Sequence, residues 1–343
     1  MLSNWLVAVL GAALAYSIWN RQGLKLHLAV GRVRPAADSP AEELPELVLR
    51  TSPAGIAIFE GDAIDVAVGL RPVRGAHGPA WVSGDVGGRP LAFATGLVPP
   101  SGWTRTQPLA ELRRGPVGAS GWKIGTGDPM GLFRGIRRCP AVEVALVLPR
   151  FMSLAANRRP RELEAATSAP RAGSGSEPFG VREYRAGDSL RRIHWRASAR
   201  HGELVVREYE PPGLQTLAVW LDPAPPSREV ADQIARIAAS EAWDCLREAG
   251  RVSLWAPGLE GAPPTRDLWT VLEWLARYPN LPSAGDGTVP TGRGEELVVV
   301  TGSSNPELLE AAGLSRRWRG WVVGDAAVAA DVELERAGTE WPL

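Results

Sequence analysis

The apolar residues of this chain change their spacing once, near its middle, and no single regular fold accommodates both halves. Over residues 47–150 glycine or proline interrupts the sequence every few positions and no long 3.6-residue period develops. Ile64, Val66, Val68 and Leu70 alternate with Asp65, Ala67 and Gly69, and Val142, Val144, Leu146 and Leu148 repeat the pattern. A period of two marks half-buried strands. The Glu60-Gly61-Asp62 turn separates the first of these runs from an apolar stretch at 56–59. Short strands with regular turn signals predict an antiparallel, all-β sandwich of roughly immunoglobulin size over 47–150. In the loop 128–133, Pro129 and Gly131 form a turn whose Leu132 and Phe133 are expected to cover an open end of the sandwich. His77 lies in a Gly/Pro-rich loop with no second ligand nearby and reads as a surface histidine.

Downstream, strands and helices alternate. Residues 216–221 form an apolar run ending at Asp222, and 227–249 carry Val230, Ile234, Ile237, Cys245 and Leu246 on one helical face. A strand at 252–255, a helix striped by Leu268, Val271, Leu272 and Leu275, and an apolar strand at 297–300 follow. Asn305-Pro306 has the chemistry of a helix start, and 320–323 is a further strand candidate. Such alternation predicts an open parallel α/β sheet of Rossmann type over 213–335. Ligands of these sheets bind beyond the carboxyl ends of the strands, which directs attention to Asp222 and to Thr301-Gly302-Ser303. Neither a P-loop nor a GxGxxG motif is present, and Gly173-Ser174-Gly175-Ser176 reads as part of a linker over 151–176.

Thirty-eight basic residues balance 38 acidic ones, which gives no electrostatic reason to expect nucleic acid as a partner. Lys25 and Lys123 are the only lysines, a bias that fits a GC-rich genome. Cys139 and Cys245 are too isolated for a zinc ribbon or a redox dithiol, so a reducing compartment is expected. Residues 5–19 carry no charge, and with 2–4 they approach the roughly 20 residues of a transmembrane helix. Arg21, Lys25, Arg32 and Arg34 follow directly, and the positive-inside rule would place the bulk of the chain in the cytoplasm. The expectation is a single-pass anchor at 1–20 in the cell membrane, with a basic juxtamembrane segment and linker at 21–46. A cleaved signal at Ala13-Leu14-Ala15 is the main alternative, but the basic n-region it needs is missing, and a buried soluble helix is a third reading, disfavoured because a helix apolar on every side has few places to hide.

The most particular stretch is 177–212. It contains Arg182-Glu183-Tyr184, Gly187-Asp188, Arg191-Arg192-Ile193-His194-Trp195, Ser198-Ala199-Arg200 and Leu204. From 182 to 210 seven arginines face five acids, a balance suited to internal Arg–carboxylate pairing. Asp188 is placed to cap a short helix through Trp195. A structural role leads, and a partner-docking surface comes second. Asp188, His194 and Ser198 have the residue types of a hydrolase triad, but the strained turn and oxyanion hole that a triad needs have no counterpart here. His194 and His201 lack the further ligands of a zinc site.

These motifs closely resemble the signature of the domain of unknown function 58 (DUF58) family, and the Phe59 to Asp62 turn and the Asp128 to Phe133 loop occur upstream in the expected order. The resemblance implies a bacterial membrane-anchored protein with a β-sandwich-like region and a C-terminal domain related to von Willebrand factor A domains. It also implies association with MoxR-type AAA+ ATPases. Family members commonly carry a pair of N-terminal transmembrane helices, whereas this chain has room for one. The von Willebrand likeness implies a cation site built on Asp-x-Ser-x-Ser. Asp222 takes its first position, but Ala224 and Pro226 replace both serines, so neither a stable metal site nor a cofactor is expected. The resulting expectation is a non-catalytic adaptor that joins a MoxR-type ATPase to a client protein, with Arg182, Tyr184, Gly187, Asp188, Arg191, His194, Trp195 and Arg200 as partner-binding or structural residues. The alternatives are a hydrolase using His194 and Asp188, or an extracytoplasmic adhesion module.

Overall fold

The computed structural model describes residues 2–40, 57–154, 178–183, 198, 204–209, 216–284, 296–303, 318–325 and 334–342. The chain is mixed α/β and rich in strands. It divides into two compact units, Met1–Phe151 with Leu272–Leu281, and Met152–Val271 with Pro282–Leu343.

The first unit begins with helix α1 (Leu2–Gln22) and continues through β1 (Leu24–Arg34), β2 (Ala63–Pro72), β3 (Ala80–Val86), β4 (Arg89–Thr95), β5 (Trp103–Leu109), β6 (Gly115–Gly127), β7 (Arg134–Arg138) and β8 (Val142–Val147). One antiparallel sheet has the order β1-β2-β5, and the other the order β4-β3-β6-β7, with β8 also paired to β6. Ile64, Val66, Val68 and Leu70 of β2 share one core with Val82, Val86, Trp122 and Ile124 of the second sheet. Trp122 lies against Gly84, where a Cβ would stand 2.4 Å from the indole. Its Nε1–H donates to the Asp85 carbonyl at 3.1 Å. Strand β1 falls within the stretch read as a linker. Its Leu26, Leu28 and Val30 stand opposite Leu70, Val68 and Val66 and pack against the core, an alternation with Lys25 and His27 that is itself a period-two strand signal.

The expected membrane anchor is overturned: among the described residues, no helix is long and apolar enough to cross a membrane. The last turns of α1 are instead docked on the first unit. Ser17 and Asn20 are buried there. The Asn20 amide donates to the Gly127 carbonyl at 3.0 Å, and the Tyr16 hydroxyl to that of Gly78 at 2.8 Å. Polar side chains matched to backbone carbonyls make a protein contact, and Asn20, Arg21 and Gln22 end the apolar run.

His77, read as a surface residue, is fully buried. Its ring stacks on Trp19 with centroids 3.8 Å apart, its Nε2–H donates to the Arg74 carbonyl at 2.8 Å, and its Nδ1 lies 3.1 Å from Asn20 Oδ1. Gly23 makes room for it, since a Cβ there would stand 2.0 Å from the ring.

The loop 128–133 also differs from expectation. Asp128 draws it together by accepting from the Met130 and Phe133 N–H groups. The loop therefore closes on a carboxylate, and Met130 (66%) and Leu132 (53%) are left exposed. The Phe133 N–H, against an opposing effect of burial, holds the Asp128 carboxyl below its usual range.

In the second unit β9 (Pro178–Glu183) and β10 (Val205–Tyr209) form an antiparallel pair. After them come β11 (Thr216–Leu221), α2 (Arg228–Arg247), β12 (Arg251–Trp255), β13 (Ala262–Thr265), α3 (Leu268–Arg277), whose residues from Leu272 on count with the first unit, β14 (Glu296–Thr301), β15 (Trp318–Val323) and β16 (Glu335–Ala337). The six strands run in the order β13-β12-β11-β14-β15-β16, parallel except for β13. Ser227 caps α2 by accepting from the Val230 N–H, and Glu229 and Arg247 suit the helix dipole at its two ends. The buried residues of α2 include three carboxylates, Asp232, Glu241 and Asp244. Glu241 accepts from Trp321 Nε1–H at 2.9 Å and pairs with Arg319 at 2.7 Å, which joins the helix to β15. Asp244 accepts from the Ser153 hydroxyl and the Leu154 N–H, both at 2.8 Å.

Two outcomes follow from the first unit. Gly23→Ala should drive His77 from its seat and cost about 1–3 kcal/mol in urea unfolding, and an unchanged midpoint would contradict the packing. Because the Asp128 carboxyl is depressed by folding, its stabilisation is complete above the ordinary carboxylate range and is lost as pH falls toward the depressed value. Melting temperature should therefore fall less steeply below pH 4 in Asp128→Asn than in the parent protein, measured by circular dichroism across a pH series.

Candidate functional site

The chain leaves β11 through α2 to reach β12 on one side, then returns through β13 and α3 to β14 on the other. The connections therefore diverge between β11 and β14, the place where an open parallel sheet leaves a crevice at its carboxyl edge. Asp222 stands there, directly after β11, and is fully buried. Its N–H donates to the Val300 carbonyl at 3.1 Å, which ties the residue to β14.

The carboxylate is occupied by its own surroundings. Oδ1 accepts from the Ala224 N–H at 3.0 Å. Oδ2 accepts from the Gly302 N–H at 3.2 Å and from the Ser303 hydroxyl, with the Thr301 hydroxyl 3.1 Å away. Thr301 Oγ1 also lies 2.6 Å from the Ser303 carbonyl and accepts from the Ser303 N–H at 3.2 Å. Its single proton serves Asp222 or Ser303 in turn. Gly302 is required by close approach, since a Cβ there would stand 2.2 Å from a Val230 methyl. Asp222 thus fastens the loop after β14 to the loop after β11.

A divalent cation needs several oxygen ligands. Positions 224 and 226 offer Ala and Pro, and the serine and threonine hydroxyls of the second loop already face Asp222. Among the described residues, no group of three or more His, Cys, Asp or Glu side chains is placed to hold a metal ion. Asp325 is exposed beyond β15.

Of the residues singled out in the 177–212 block, Arg182 lies on β9 opposite Val206 of β10. Tyr184, Gly187, Asp188, Arg191, His194, Trp195 and Arg200 lie outside the described residues. Ser198 is helical and buried, and Leu204 is exposed. The group of buried Glu241 and Trp321 with the half-buried Arg319 was not anticipated. Its signal was available, because Glu241 continues the Val230, Ile234, Ile237 spacing as a carboxylate on an apolar stripe.

Removing the brace should be costly. Asp222→Ala leaves the buried Gly302 N–H and Thr301 hydroxyl without their acceptor and should destabilise the protein by about 2–4 kcal/mol in urea unfolding. A loss under about 0.5 kcal/mol, the range of ordinary surface substitutions, would show that the loops do not depend on it.

An uncharacterized protein of Bacillus subtilis (strain 168), YeaD, is 26% identical over 160 residues, covering 46% of this chain and 40% of that protein. The chain thus spans about two-fifths of the length of that relative. No solved structure matches. Residues 180–266, from β9 through β13 and including Asp222, match the family described as protein of unknown function DUF58.

Proposed function

We propose that this protein is a non-catalytic adaptor of DUF58 type that works with a MoxR-type AAA+ ATPase in the assembly or maturation of a client protein complex. In this reading the first unit is an immunoglobulin-like sandwich. The second is a von Willebrand factor A-like domain of Rossmann type in which an internally bonded loop replaces the cation site. The strand order β13-β12-β11-β14-β15-β16, with successive strands added outward from β11 on either side, supports that likeness.

The observation that carries the proposal is the state of Asp222. At the position where a parallel sheet offers a ligand crevice, the carboxylate is spent on the Ala224, Gly302 and Ser303 donors. A rigid, braced loop edge suits recognition of another protein. The exposed Ala224 beside it presents that edge to solvent.

Purified protein immobilised on a surface should capture a purified MoxR-type ATPase, with capture depending on the bound nucleotide. Ala224→Arg, which keeps the backbone donor to Asp222, should weaken capture at least tenfold at unchanged melting temperature. Absence of capture in every nucleotide state would overturn the adaptor reading.

A further inference from the structure

We infer that the outer face of the β3-β6-β7 sheet in the first unit is a docking surface for an acidic polypeptide segment that carries apolar residues between its carboxylates. The inference stands on the first unit alone and does not depend on the adaptor reading.

The strand register places its residues. Ile136 of β7 stands opposite Gly125 of β6, which stands opposite Trp81 of β3, and Trp81 stands opposite Ala94 of β4. The Trp81 indole lies over Gly125, where a Cβ would sit 1.8 Å from the ring. This row is apolar from one edge to the other. In the neighbouring row Arg138 stands opposite Lys123, and on the other side Arg134 stands opposite Gly127. Along β6 the core takes Trp122 and Ile124, while Lys123 is exposed, and on β7 Arg134, Ile136 and Arg138 are exposed.

Two features of this face are unfavourable in the isolated protein. Like charges placed directly opposite each other, as Lys123 and Arg138 are, destabilise a sheet pair. Among the described residues none of Lys123, Arg134 and Arg138 has a carboxylate within ion-pair distance. Ile136 is 60% exposed between Arg134 and Arg138 on the edge strand β7, and the hairpin that carries it ends in the exposed Met130 and Leu132. An apolar centre with a rim of unpaired cations is complementary to apolar residues flanked by carboxylates. In the row Ile136-Gly125-Trp81-Ala94, Trp81 is the one aromatic side chain, so successive bases of a single-stranded nucleic acid would find one ring and not a series of them, and the aliphatic Ile136, Met130 and Leu132 favour an acidic segment as the occupant.

The probe is a soluble, fluorescently labelled peptide of about a dozen residues with Glu at alternate positions and Leu, Val or Ser between them, titrated into the full chain. Binding should weaken at least tenfold in the Arg134→Glu/Arg138→Glu variant, in Ile136→Ser, and on raising salt to about 0.5 M, where the Debye length falls to a few ångströms. The Trp81 indole N–H resonance, assigned by loss in Trp81→Phe, should shift on titration. Ile136→Ser and the salt series keep the test decisive if charge reversal impairs folding. Binding unchanged by these substitutions would overturn the inference. So would equal binding of polyglutamate, poly(dT) or phosphatidylglycerol vesicles through the same residues.

Discussion

The second unit depends on one carboxylate that spans two loops. Asp222 follows β11, receives the backbone N–H of its own turn at Ala224, and reaches across to Gly302 and Ser303 after β14. Parallel strands need long crossovers, so loops that are neighbours in space are far apart in sequence, and a side chain must join them. Here 80 residues separate Asp222 from Gly302. Burial makes the arrangement costly to lose, because the Gly302 N–H and the Thr301 hydroxyl lie away from water and would be left unpaired without the acid. The same saturation sets the chemistry of the site. An acid that already accepts from backbone and hydroxyl donors has little capacity left for a cation, whatever the ancestry of the position.

The first unit obeys a different constraint, the close approach of aromatic rings to bare backbone. Trp122 lies against Gly84, Trp81 over Gly125, and His77 against Gly23. In each case a ring occupies the volume where a Cβ would stand, so glycines dispersed along the strands are packing partners and not merely turn residues. The docking of α1 is part of this scheme. Its Trp19 stacks on His77, and its Asn20 answers carbonyls at Pro79 and Gly127.

Much of this organisation could be read in the residues. The period-two runs at 64–70 and 142–148 form β2 and β8, and the apolar runs ending at Asp222 and Thr301 form adjacent parallel strands. What escaped was long-range. The uncharged N-terminal stretch looked like a membrane anchor because its charge is absent, whereas its fate is decided by carbonyls at Gly78, Pro79 and Gly127 that no local pattern reveals. His77 looked exposed for the same reason, since its ring meets Asn20, 57 residues away, and stacks on Trp19. Leu132 looked like a plug because leucine prefers burial, yet Asp128 closes that loop without it. The acid at 222 stood out in the sequence, but its donors at 302 and 303 depend on which strand lies beside β11, and that is a property of topology.

Calorimetric titration of the full chain with Mg²⁺ and Mn²⁺ addresses the role of Asp222 most directly. The account predicts no binding heat and no rise in melting temperature at millimolar metal, because a ligand that binds only the folded state must raise stability as its concentration exceeds its dissociation constant. A saturable Mn²⁺ signal that raises the melting temperature, and that disappears in Asp222→Asn, would show that the carboxylate is a cation ligand and would contradict the account.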